Sequence, residues 1–177
     1  MRTQLFNQYI LQHSSGAFAM ALQMLRSREE AKDVMQDACC ALLRQARLPE
    51  DSQQFRMLLY KVVRNKAIDR LRALKVRQSD SFAEHEETLA LPVSFSDGSG
   101  NPEAQIQLQQ QMTLLKTALS QLSAEHRDIL LLKDWQGFSY AEIAEILDIE
   151  PGTVMSRLHR ARLAIREQMA RLDEDCE

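Results

Sequence analysis

Apolar residues recur at steps of three and four along almost the whole chain, and the pattern lapses only once at length, over residues 78–102. That period belongs to one face of a helix, whereas a half-buried strand would alternate every two residues. No strand-like alternation and no internal repeat breaks it, and 5 Gly and 4 Pro in 177 residues leave few helix breakers. The chain is therefore read as all-α, with two small helical domains, residues 1–77 and 103–177, joined by a flexible acidic linker. The linker holds Ser79, Ser81, Glu84, Glu86, Glu87, Ser94 and Ser96 and ends in Asp97-Gly98-Ser99-Gly100-Asn101-Pro102. Such a composition has little apolar surface to bury, and a stretch of that length separates domains or has a task of its own.

In the first domain, Pro49 lies in a polar patch, residues 47–52, that reads as a loop. After it, Leu59, Val63, Ala67, Leu71 and Leu74 share one helical face, while Lys61, Asn65, Ile68, Arg72 and Lys75 share the opposite one. Eight bases against one acid, Asp69, lie between Arg56 and Arg77. A solvated helix usually intersperses acids with its bases. A nearly pure basic stripe with an amide in its middle suits a nucleic-acid backbone with some base contact, which makes Lys61, Asn65, Arg72 and Lys75 candidate contacts. Before the loop, a helix over residues 27–47 turns Val34, Ala38, Ala41 and Leu42 inward. Its outer face carries Glu29, Asp33, Gln36, Asp37 and Cys40, a candidate surface for a protein partner.

The second domain opens on a seam of Leu108, Met112, Leu115, Leu119 and Leu122. Ser123 is placed to cap a helix running through Trp135, and Gly137 ends it. Ser139-Tyr140-Ala141-Glu142 then has the form of a capping box that starts a short helix with Ile143, Ala144 and Leu147 inward. Asp148-Ile149-Glu150 make a turn, and Pro151 begins a longer helix to about residue 172. A short capped helix, a tight turn and a longer basic helix form a helix-turn-helix, whose second helix enters a major groove. Val154, Leu158, Ala161 and Ile165 fall on its inner side. Thr153, Ser156, His159 and Arg160 fall opposite, Met155 and Arg166 at an edge, and Arg157 and Arg162 at the flanks where phosphates would lie.

The net charge of −3 hides a segregation that bears on the same question. Residues 1–80 hold 14 Lys/Arg against 8 Asp/Glu, residues 81–107 hold five acids and no base, and residues 108–177 hold 8 bases against 12 acids. No apolar run approaches the roughly 18 residues of a membrane span, and the N-terminus lacks a secretory pattern, so a cytoplasmic location is expected. Cys39, Cys40 and Cys176 are an odd count whose adjacent pair is poorly placed to bridge, which favours free thiols. His13, His85, His126 and His159 form no helical metal pattern beyond chance pairs, and neither a phosphate-binding glycine loop nor a nucleophile elbow is present. No catalytic residues, metal or cofactor are assigned, and the chain is not expected to be an enzyme.

Three segments together resemble a known family. They are residues 33–38 (Asp33-Val34-Met35-Gln36-Asp37-Ala38), residues 55–65 with Asp69 and Arg72, and residues 137–144 followed by 152–162. In this order and separation they are similar to the extracytoplasmic-function sigma factors of bacterial RNA polymerase, in the sigma-70 family. The resemblance implies that the first domain (region 2) grips core RNA polymerase through Asp33, Gln36 and Asp37. It implies that the loop over residues 48–54 and the helix with Lys61, Asn65, Arg72 and Lys75 open and hold the minus-10 element of promoter DNA. It implies that the second domain (region 4) reads the minus-35 element through Thr153, Met155, Ser156, Arg157, His159, Arg160 and Arg162. The linker would thread toward the RNA exit path, where a basic channel would attract its acids. An anti-sigma factor is a further partner the resemblance implies.

Two positions depart from the family's pattern. Leu58 stands where Trp is usual, and Met155 where a basic residue is common. A stand-alone helix-turn-helix regulator is the alternative reading, and it would leave the basic stripe and the Asp33, Gln36 and Asp37 face without a task.

Overall fold

The computed structural model describes residues 2–78 and 102–174. Residues 79–101 of the expected linker, and Cys176, lie outside the described residues. Among those described there is no strand, and the helices are α1 (Arg2–Leu25), α2 (Arg28–Arg44), α3 (Ser52–Gln78), α4 (Pro102–Gln121), α5 (Ala124–Leu130), α6 (Tyr140–Leu147) and α7 (Pro151–Glu174). A π-helical turn, Leu131–Trp135, follows α5 directly.

Several boundaries differ from the sequence reading. Gln78 and Pro102, assigned to the linker, are helical. Pro102 occupies a first helical position, where its missing N–H costs nothing. The helix expected over residues 27–47 stops at Arg44. The loop expected over residues 48–54 loses Ser52, Gln53 and Gln54 to the first turn of α3. Asp51 causes this, because its Oδ2 accepts from the Gln54 amide at 2.8 Å and its carbonyl accepts from the Phe55 amide at 2.9 Å. An Asx cap satisfies donors that the first turn would otherwise leave open.

Contacts divide the chain into two units. The first is built on α1, α2 and α3, which pack pairwise, and includes α6. Its centre is Phe55, fully buried, with the Phe6 ring edge-on at 5.9 Å and the Tyr9 ring at 5.3 Å. Burying a side chain of this kind contributes about 1.5–3 kcal/mol. Val34, Ala38 and Leu42 of α2 and Leu59, Val63 and Ala67 of α3 complete the core. Farther along α3, Leu71 and Leu74 are only half-buried, so the inner stripe fades toward the C-terminal end. The turn from α1 to α2 places Arg26 at φ 52°, its amide bonded to the Leu22 carbonyl, and Ser27 caps α2 by accepting from the Glu30 amide.

The second unit packs α7 against α4 and α5. Leu119, Leu122, Ile129, Leu132, Phe138, Val154, Leu158 and Ala161 are buried. Ser123 caps α5 as read, accepting from the His126 amide at 3.3 Å. The helix expected to run regularly through Trp135 instead widens after Leu130, and the Gln136 amide reaches back five residues to the Leu131 carbonyl at 2.9 Å. Gly137 ends it at φ +70°, a conformation that glycine adopts without the Cβ penalty of other residues. Lys133 Nζ donates to the Phe138 carbonyl at 3.2 Å, satisfying an acceptor just past that end.

Candidate nucleic-acid interface

The elements expected for the helix-turn-helix, a short helix, a turn and a longer helix, follow one another along the chain as α6, residues 148–150 and α7. After α6, Asp148 takes φ 56°, tolerable for a short polar side chain, and the Ile149 amide bonds the Ala144 carbonyl at 3.0 Å. Glu150 then accepts from the amides of Thr153 and Val154 and starts α7. Val154, Leu158 and Ala161 are buried, and Ile165 is half-buried, so the inner side of α7 matches its pattern.

That burial fixes the outward row. Ser156, His159 and Arg160 are exposed, and Thr153 is half-buried beside them. Ser156 Oγ donates to the Thr153 carbonyl at 3.1 Å, and Arg160 Nε donates to the Ser156 carbonyl at 3.4 Å, both within the helix. Met155 is 59% exposed, a large apolar side chain projecting where a cation is common.

The flanking arginines are differently disposed. Arg162 Nη2 meets Asp134 Oδ1 at 2.6 Å, and its Nε reaches Oδ2 at 3.5 Å. This bond is the main cause that raises the Arg162 pKa above its ordinary value. Arg157 Nη1 lies 3.7 Å from Glu125 Oε2. The carboxylates stand on the π turn and on α5, so neither was visible in the spacing along α7.

On α3, Asn65, Arg72 and Lys75 are exposed and Lys61 is half-buried, all opposite the buried stripe. Arg72 has a weak partner one turn back, Asp69 Oδ1 at 3.4 Å, with both side chains largely in solvent. Arg70 points another way and forms a two-nitrogen fork with Glu30 of α2, Nη2 to Oε1 at 3.0 Å. That hydrogen bond raises its pKa, helped by the nearby charges of Asp33 and Asp37. The basic run thus contains one arginine that ties α3 to α2.

The loop before α3 is anchored to α1. Tyr9 donates its hydroxyl to the Glu50 carbonyl at 2.5 Å, and His13 Nε2 and Ser52 Oγ are 2.8 Å apart, with Ser52 donating onward to Gln12 Oε1. Desolvation first and the Arg56 charge second hold the His13 pKa below the usual histidine range. On α2, Asp33, Gln36, Asp37 and Cys40 are all exposed on one face, while Ala31, Val34, Ala38 and Leu42 are buried. Burial, aided by the neighbouring Cys40, pushes the Cys39 thiol up. Among the described residues no group of three His, Cys, Asp or Glu could hold a metal ion, and no helix is long and apolar enough to cross a membrane.

Comparison with known proteins matches both parts of the chain to family models. Residues 9–77 match the model described as Sigma-70 region 2, and residues 112–174 the model described as Sigma-70, region 4. The chain is 33% identical over 163 residues to ECF RNA polymerase sigma factor SigL of Mycobacterium tuberculosis, covering 88% of this chain and 83% of that one. It is 30% identical to ECF RNA polymerase sigma factor SigW of Bacillus subtilis, covering 86% and 82%. Among solved structures it resembles the sigma factor RpoE of Bartonella quintana, seen in complex with the anti-sigma factor NepR, with a TM-score of 0.70, 22% identity and coverage of 93% and 96%. It also resembles CnrH in complex with the cytosolic domain of CnrY, with a TM-score of 0.58, 22% identity and coverage of 96% and 88%. At such identities these two likenesses speak for the fold.

Proposed function

The chain belongs to the extracytoplasmic-function sigma factors of the sigma-70 family, and we propose that it acts in the cytoplasm by selective binding, with no bond chemistry of its own. As an alternative sigma factor it binds core RNA polymerase and directs promoter recognition and the initiation of transcription. The observation that carries the residue assignment is the outward-facing row on α7 in the same chain as the basic stripe on α3, each lying opposite a buried apolar face.

In this reading Asp33, Gln36 and Asp37 dock on the polymerase, their exposed face lying clear of the bundle core. Lys61, Asn65, Arg72 and Lys75 hold the opened minus-10 element. Strand separation costs roughly 1.4 kcal/mol per base step in lost stacking, and a base held out of the stack by protein contacts offsets part of it. Thr153, Met155, Ser156, His159 and Arg160 face the minus-35 element, with Arg160 able to fork to guanine and Arg157 and Arg162 beside the phosphates. Residues 1–77 serve as region 2 and residues 103–177 as region 4. An anti-sigma factor is a fitting partner, supported by one solved likeness, a sigma factor in complex with an anti-sigma factor, beside a second, CnrH in complex with the cytosolic domain of CnrY.

In vitro transcription with purified core polymerase on a genomic template pool tests this. The chain should confer a defined set of start sites. Core polymerase that initiates identically with and without it would refute the reading, and nanomolar promoter binding by the chain alone at physiological salt would favour a stand-alone regulator.

A further inference from the structure

The two flanking arginines of α7 meet carboxylates in a geometry that DNA itself would offer. Arg162 presents two nitrogens of one guanidinium edge, Nη2 and Nε, to both oxygens of Asp134. That is the paired donor arrangement by which arginine grips a phosphate. Both side chains are well exposed, 45% for Arg162 and 36% for Asp134, so the pair is accessible to a competing anion. Arg157 repeats the theme more loosely, at 3.7 Å from Glu125 with that carboxylate 69% exposed. Arg160, in contrast, bonds only weakly to a carbonyl of its own helix and keeps its place in the outward row.

We infer that Asp134, and to a lesser degree Glu125, act as built-in phosphate substitutes that hold Arg162 and Arg157 back from indiscriminate DNA binding. This inference rests on the reading of α7 as the helix that meets DNA. A held arginine releases no counterions until its carboxylate partner is exchanged for a phosphate, so it adds little to affinity for arbitrary duplex. Exposed ion pairs are weak enough to be exchanged when the rest of α7 is seated on its own element. Asp134 therefore becomes a specificity-determining residue, although it points at arginine and not at a base. Its placement depends on the π turn, which brings residue 134 opposite residue 162.

The test is a salt titration of random-sequence duplex binding by the full chain, with Asp134→Asn, Arg162→Gln and the double variant. Asp134→Asn should steepen the dependence of log K on log salt by about 0.9, the change for one added phosphate contact. Arg162→Gln alone should leave the slope unchanged, and the double variant should return to the parental slope. Glu125→Gln should give a smaller change in the direction of Asp134→Asn. The inference is overturned if Arg162→Gln itself flattens the slope by about one, which would make Arg162 a phosphate contact already. It is equally overturned if the gain from Asp134→Asn survives in the double variant, whose net charge equals the parent's, because the gain would then not pass through Arg162. Arg162→Lys, which keeps the charge and loses the fork, should loosen the hold only in part and steepen the slope by less than Asp134→Asn does, a gain reached without touching Asp134. An Arg160→Ala arm separates the two readings: no loss on any duplex would remove α7 from the DNA interface, whatever Asp134 does.

Discussion

The two units deploy opposite charges in opposite ways. In the first, acids gather on the outer face of α2 and bases along α3, with the Glu30 and Arg70 fork as the tie between the two helices. In the second, the arginines of α7 are interleaved with carboxylates from the preceding helical elements, Glu125 and Asp134. Segregated charge leaves two surfaces of strong, opposite potential, each suited to its own large partner. Interleaved charge leaves only the outward row to discriminate. The difference teaches that a net charge of −3 is compatible with DNA contact, provided the acids stay off the outward row and those beside it are tied to arginines.

The sharpest way to break this contrast is to erase the segregation. Replacing Asp33 and Asp37 by Lys should abolish co-purification with core polymerase while leaving helical content unchanged, since both side chains are exposed. Undiminished co-purification would dissociate the acidic face from polymerase. A smaller effect is expected in the second unit, where Arg160→Ala should cost about 1–3 kcal/mol at cognate minus-35 sites and relax one base position. Competition binding against single-base variants reads it, and an equal loss on every sequence would reassign Arg160 to the phosphates. The smallest effect concerns the first unit alone. Because His13 titrates below its ordinary value of about 6.5, the folded state favours the neutral ring, so its contribution to stability is complete above that pH and declines as pH falls through the lowered value. Thermal melts from pH 7.5 to 5 should show a decline that His13→Gln makes shallower; parallel curves would remove His13 as the source.

Much of this was legible from local pattern. The inner stripes at Leu59, Val63 and Ala67 and at Val154, Leu158 and Ala161 follow from periodicity, and the Ser123 cap and the Gly137 stop from residue chemistry. The exposure of Asp33, Gln36, Asp37, Asn65, Arg72, Lys75 and Arg160 follows from the same stripes by opposition. The long-range pairs did not announce themselves. Glu30 and Arg70 are 40 residues apart, His13 and Ser52 39, and Asp134 and Arg162 28, and nothing in an ordinary surface charge or hydroxyl indicates which distant partner it will meet. The start of α3 shifted because one aspartate, Asp51, outcompeted the loop reading of Pro49 and its neighbours.

The π turn was equally silent, since Leu131 and Leu132 satisfy a regular helical pattern as well as a widened one. It makes register a matter of length at this point in the gene. A π turn holds one residue more than ordinary winding needs, so losing one codon within residues 131–135 would let ordinary winding resume while the elements of this unit that follow keep nearly their present register. The cost of such a deletion would fall on Asp134, whose place opposite Arg162 lies within the widened turn, more than on the direction of α7.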